Sequence, residues 1–220
     1  ETAIDATCPL VNSIHQMVDK YHDQGFVVII IGHHGLPEVV GSAGRVTGRV
    51  HVVASKVEAE HLQVATPEKT AYVTQTTLSQ DDVAGIKSIL EHRFPGIKGP
   101  VKSNICYATQ NRQNAVTYLA KECDLILVVG SKNSSNSNRL RDVAKKSGRI
   151  SHLIDDRDDI DPSWLEGVAK VGITAGASAP ERLVEGVLDW LDEHAEVVEV
   201  TEMKGKEERI SFKPAVLTDT

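Results

Sequence analysis

The sequence predicts an α/β protein of two similar domains, each built on a parallel sheet, and three observations carry that expectation. Two apolar runs, FVVIII at residues 26–31 and LILVV at 125–129, lack any polar alternation and each ends on a glycine, Gly32 and Gly130. Strands covered on both faces read this way. Each run follows a helical pattern that starts at a cysteine, Cys8 or Cys106, and each leads into alternating short strands and helices. The landmarks also recur in order: Cys8 with Cys106 and Gly32 with Gly130 at an offset of 98, and TQTTLS at 74–79 with TAGASA at 174–179 at an offset of 100. Repetition of that kind signals duplicated architecture.

Taken in order, residues 8–24 place Leu10, Ile14, Met17, Val18 and Tyr21 on one helical face, and Gly25 ends the helix. The strand at 26–31 is followed by GHHGLPE at 32–38, too glycine-rich to continue an element. Strands are expected at 51–54 and 70–73, with helices at 57–63 and 81–94. Ser79 caps the second of these helices, with Asp82 three positions on. In the second half a helix carries Ala115, Val116, Leu119 and Ala120. After it come the strand at 125–129, a helix at 138–146, strands at 150–154 and 171–174, and a helix at 180–191. The PGIKGP connector at 95–100 places the boundary, giving a first domain over 1–98 and a second over 99–191. Residues 192–220 are expected to supply two strands, at 197–200 and 209–212, that need a sheet to join.

Composition removes several function classes. Basic residues number 24 and acidic ones 31, a net charge of −7, which argues against a non-specific nucleic-acid surface. The run at 26–31 is about a third of a bilayer crossing, so no membrane span is expected. No charged n-region and apolar h-region opens the chain. Three cysteines without a CxxC pair suit neither a secreted disulfide framework nor a zinc site, and point to a reducing, cytoplasmic setting.

Chemistry in such domains gathers outside the C-terminal strand ends. The polar clusters of this chain lie there, at 32–38, 74–79, 130–138 and 174–178, and two domains facing each other through these edges would enclose one polar cleft. GSKNSSNSN at 130–138, directly before a helix, offers short donors and free backbone N–H groups to a phosphate or diphosphate; the bland reading is a flexible polar loop. Cys8 and Cys106, each at a helix start, are placed as metal or iron–sulfur ligands, since unpaired N–H groups stabilise thiolates. Cys123 ends an amphipathic helix and is expected to pack. Glu38 is either an ordinary helix-start carboxylate or an acid able to deliver a proton. His33 and His34 suit phosphate contacts or plain hydrogen bonding equally. The acidic run DDRDD at 155–159 reads as a solvated turn.

The stretches DATCPLV at 5–11, IGHHGLPE at 31–38, TQTTLS at 74–79, ICYAT at 105–109 with NRQ at 111–113, GSKNSSNSN at 130–138 and TAGASAP at 174–180 resemble the 4-hydroxy-3-methylbut-2-enyl diphosphate reductase family. The resemblance implies a trefoil-like, three-domain α/β protein holding a 4Fe-4S cluster on three cysteines, with the fourth position left to the substrate hydroxyl. It implies that Cys8 and Cys106 are two of those ligands and that Glu38 and Thr76 feed a proton to the departing hydroxyl. Thr77 binds substrate, and Ser134, Ser135, Asn136 and Ser178 hold the diphosphate. Reduced ferredoxin or flavodoxin would donate electrons, and the products would be isopentenyl and dimethylallyl diphosphate.

The sequence departs from the family's pattern in two ways. The family's first domain, with its own cysteine, is not matched, so this chain is expected to be a fragment or a variant that holds little cluster by itself. Leu36 also stands where the family has a histidine. These departures support an alternative, a non-catalytic diphosphate-binding or scaffold homologue; a third reading is a two-cysteine protein sharing a cluster between subunits.

Overall fold

The computed structural model describes residues 5–196 and 199–203. The chain divides into two compact units, the first running to Cys106 and the second starting at Tyr107.

The first unit runs α1 (Pro9–Asp23), β1 (Val27–Ile31), α2 (Pro37–Ala43), β2 (Val50–Val53), α3 (Lys56–His61), β3 (Thr70–Thr74) and α4 (Gln80–Arg93). Its sheet has the order β2-β1-β3 and is wholly parallel. The central strand β1 is buried at every position because helices cover both sides. Val28 and Ile30 pack with Ile14 and Val18 of α1 and Val39 of α2. Ile29 and Ile31 pack with Ala59 of α3 and Ile86 and Leu90 of α4. Strict alternation of faces without alternation of polarity is what two apolar clusters on one strand require. Ser79 accepts the Asp82 N–H at 3.1 Å, the cap expected for α4.

The second unit repeats this order with α5 (Tyr107–Glu122), β4 (Leu125–Val129), α6 (Ser135–Lys146), β5 (Ile150–Ile154), β6 (Val171–Ala175) and α7 (Glu181–His194), and a parallel sheet β5-β4-β6. Two 3-10 turns, Arg157–Asp159 and Pro162–Leu165, stand where the first unit has α3. Val116, Ala120, Leu140 and Ala144 cover one side of β4, and Ile154, Ile160, Val187 and Leu191 the other.

Strand register corrects the repeat. Val27 faces Thr70 in the first sheet and Leu125 faces Val171 in the second, so the offset is 98 at the central strands but 101 at the third strands, rather than 100. Thr74 therefore matches Ala175, and Thr77 matches Ser178. A slip of one residue would turn every side chain to the opposite face, and the buried clusters forbid it.

Three further differences bear on the site. The loop expected at 32–38 gives way at Pro37 to α2, a short helix not anticipated from the sequence, with proline at its first position. Helix α6 starts at Ser135 instead of 138, because Ser134 accepts the Ser137 N–H at 3.2 Å and caps it. The 95–106 segment stays with the first unit: Lys98 donates to Thr70 O and accepts from Tyr72 N–H, and Cys106 N–H donates to Thr76 O at 2.9 Å. Of the terminal strands expected from the sequence, 209–212 and residues 197–198 lie outside the described residues, and 199–203 form no regular element.

Candidate functional site

In the first unit, the ends of β1 and β3 bring two loops together around Glu38. Its Oε1 accepts the Thr76 N–H at 2.7 Å, and its Oε2 lies 3.0 Å from Thr76 Oγ1. Burial holds the Glu38 carboxyl above the ordinary carboxylate range, against the two hydrogen bonds from Thr76, which pull it down. A backbone N–H can only donate, so Oε1 is an acceptor in both protonation states. The proton of the neutral acid belongs on Oε2, facing the Thr76 hydroxyl, which can pass a proton onward. Thr76 is only 6% exposed, and its carbonyl accepts the Cys106 N–H, so one residue ties the acid to the segment carrying a candidate thiolate.

The raised pKa has a testable sign. A carboxyl whose folded pKa exceeds its unfolded value adds stability below the unfolded pKa, and that contribution is lost as pH rises through the folded pKa. Glu38→Gln keeps an acceptor for the Thr76 N–H but cannot ionise. The melting temperature of the variant relative to the parent should therefore climb as pH rises through and above the ordinary carboxylate range; a difference that stays flat would refute the burial argument.

Cys8 is the exposed N-cap residue of α1, and its side chain caps nothing. Cys106 is partly buried immediately before α5. Both are free thiols at equivalent repeat positions, and such thiols suit thiolate ligands. Among the described residues no group of three His, Cys, Asp or Glu is placed to hold a metal ion. Cys123 is buried beside Gly172, and burial raises its thiol pKa, as a packing residue requires. His34 Nε2 lies 2.7 Å from Glu58 Oε2, which ties that ring to the start of α3. Leu36 is the N-cap of α2, offers no side-chain cap, and packs on the apolar cluster of α1 and β1.

In the second unit the anion candidates sit on the start of α6, not in a loop before it. Ser134 is the N-cap and Ser135 the first helical residue. Asn136 is 8% exposed, yet neither its Oδ1 nor its Nδ2 has a partner, and the buried Ser137 Oγ is also unpartnered. Buried amides are normally satisfied, so this carboxamide at a helix N-terminus keeps its full hydrogen-bonding capacity available to an anion. Gly130 and Gly176 close in on the same turn: a Cβ on either would clash with Ser137 Oγ. Ser178 lies exposed in the turn between β6 and α7. The acidic run is an exposed turn, as expected, and Lys132 joins it from the neighbouring loop, with Nζ 3.3 Å from Asp159 and its N–H donating to Asp155.

Sequence reasoning missed Gln75, whose amide links the loops after β1 and β3, and the close approach at Gly176. Pro37 followed by Glu-Val-Val was the available signal for α2.

The sequence pattern of the LytB protein family matches residues 1–192. The chain belongs to the LytB family. Its relatives within the LytB family include the 4-hydroxy-3-methylbut-2-enyl diphosphate reductase of Desulfotalea psychrophila, 61% identical over 98% of this chain and 68% of that protein. The Bordetella pertussis protein of the same name is 53% identical over 94% of this chain and 64% of its own length. Among solved structures, the E-1-hydroxy-2-methyl-but-2-enyl-4-diphosphate reductase of Plasmodium falciparum superposes with a TM-score of 0.83 at 33% identity, over 92% of this chain and 67% of that one. This LytB chain thus spans about two thirds of the length of these relatives. No helix among the described residues is long and apolar enough to cross a membrane.

Proposed function

We propose that the chain carries substrate-handling residues of a 4-hydroxy-3-methylbut-2-enyl diphosphate reductase, which replaces the allylic hydroxyl with hydrogen. Two electrons and two protons enter, the C–O bond breaks, and water leaves with isopentenyl or dimethylallyl diphosphate. The observation that carries this reading is the Glu38–Thr76 pair, a carboxyl kept protonatable by burial and aimed through Oε2 at a hydroxyl. Glu38 supplies the proton that turns the departing hydroxyl into water, and Thr76 passes it. Thr77 donates to a diphosphate oxygen, and Ser134, Ser135, Asn136 and Ser178 hold the diphosphate at the α6 start and the β6–α7 turn. Cys8 and Cys106 fit two thiolate ligands of a 4Fe-4S cluster, which when bound would bring the electrons and polarise the hydroxyl. The electrons would come from reduced ferredoxin or flavodoxin in the cytoplasm.

A second reading, a diphosphate-binding homologue without turnover, is favoured by Leu36, which adds no polar contact at the start of α2, and by a described cysteine set that provides only two candidate ligands. Calorimetry separates the two. If Glu38 and Thr76 meet the hydroxyl, the chain should bind 4-hydroxy-3-methylbut-2-enyl diphosphate about five- to tenfold more tightly than dimethylallyl diphosphate, and Thr76→Val should erase the difference. Equal affinities in the parent chain would favour the non-catalytic reading.

A further inference from the structure

Gln75 is the second residue of the TQTTLS motif, is 2% exposed and follows directly on β3. Its Oε1 accepts the His33 N–H at 3.0 Å, and its Nε2 donates to Thr77 Oγ1 at 2.6 Å. The two bonds fix each other's direction. A main-chain N–H has no acceptor capacity, so the oxygen end of the amide must face His33 and the NH₂ end must face Thr77. The Thr77 oxygen is thereby an acceptor toward Gln75, and its own proton is directed to another contact. The site is tightly seated: a Cβ on Gly32 would lie 3.2 Å from both Gln75 Cβ and Oε1 and 2.7 Å from Val39 Cγ2. A turned-over amide would set the NH₂ group against the His33 N–H, donor against donor.

We propose that Gln75 is a positioning residue that holds the Thr77 hydroxyl as a donor toward the diphosphate, with the His33 backbone N–H as the reference that sets its orientation. The second unit has Gly176 at the matching place, so only the first unit orients its hydroxyl in this way. The inference rests on the reading of Thr77 as a diphosphate donor.

The test uses the 220-residue chain and inorganic pyrophosphate, with affinity measured by calorimetry and folding checked by circular dichroism. Thr77→Val removes the donor and should weaken binding about tenfold. Gln75→Glu keeps the shape and the acceptor for His33 but presents an acceptor to Thr77, which must turn its proton inward; affinity should fall about as far as in Thr77→Val. Gln75→Met loses both hydrogen bonds but does not draw the Thr77 proton inward, so it should bind more tightly than Gln75→Glu. A merely structural role predicts the reverse order, because Gln75→Glu preserves the contacts and Gln75→Met does not. In the Thr77→Val background Gln75→Glu should add nothing.

Unchanged affinity in Thr77→Val overturns the reading of Thr77, and this inference with it. A loss in Thr77→Val combined with parent-like binding in Gln75→Glu, or with additive losses in the double variant, overturns the inference alone. Should Gln75→Glu fail to fold, the side-chain amide resonance of Gln75 in the ¹⁵N-labelled parent gives the answer. It should shift when pyrophosphate is added and not in Thr77→Val; an unmoved resonance while Asn136 responds would overturn the proposal.

Discussion

Leu127→Ala is expected to lower the unfolding free energy by about 3–5 kcal/mol, the upper range for emptying a leucine site in a core that cannot close up. Leu127 is fully buried in β4, with parallel partners at His152 on one side and Ile173 on the other. Hydrogen-bonded neighbours on both edges hold the strand in place, while Ile154, Val187 and Leu191 pack over its face. The hole therefore persists, and the melting temperature should fall by roughly 10 °C. Ile150→Ala provides the contrast, because Ile150 at the start of edge strand β5 is 64% exposed and its truncation should cost well under about 1 kcal/mol. Similar losses at the two positions in urea titrations would mean that the double-sided packing of β4 is not where the unit's stability lies.

The same double-sided burial explains why the fold was legible. Runs such as VVIII and LILVV can be neither amphipathic helices nor half-exposed strands, so their place at the sheet centres follows from polarity alone. Helix starts were legible unevenly. Ser79 announced α4 because an acidic first turn follows it, whereas Ser134 was hidden in a run of serines and asparagines, residues that favour turns as readily as caps. Helix α2 escaped notice because it is short and carries Gly41 inside it. The candidate site was legible as residue types at strand ends, but its pairings were not. Glu38 meets Thr76, and Gln75 meets both His33 and Thr77, only because parallel pairing brings the ends of β1 and β3 side by side.

The equivalent first-turn positions of the two units carry different side chains, which fits the different roles proposed for them. Glu38 and Asn136 occupy the same place in the first turn of α2 and α6, an offset of 98 from one another, as do the N-caps Leu36 and Ser134. In the first unit that position holds a partly buried carboxyl whose partners are a backbone N–H and a hydroxyl, which suits proton transfer. In the second it holds a neutral amide without partners beside a serine cap, which suits an anion. A carboxylate at position 136 would repel phosphate oxygens, and an amide at position 38 could not release a proton at neutral pH.

The paired substitution Ser134→Ala with Asn136→Ala should therefore weaken pyrophosphate binding to this chain by roughly 1–3 kcal/mol in total, about 5- to 150-fold. Two losses combine. Ser134→Ala removes the hydroxyl that accepts the Ser137 N–H, which frays the first turn of α6 and blurs the N–H groups aimed at the anion. Asn136→Ala removes a buried carboxamide that spends none of its hydrogen-bonding capacity on the protein, so the whole loss falls on the ligand. Because the Asn136 carboxamide makes no hydrogen bond within the protein, its single substitution should cost little stability while affinity drops, whereas Ser134→Ala should lower both. That split distinguishes a ligand contact from a helix cap. Calorimetry giving parent-like affinity in the double variant would place the anion elsewhere, and a loss of stability in Asn136→Ala matching that of Ser134→Ala would show that the amide serves the fold.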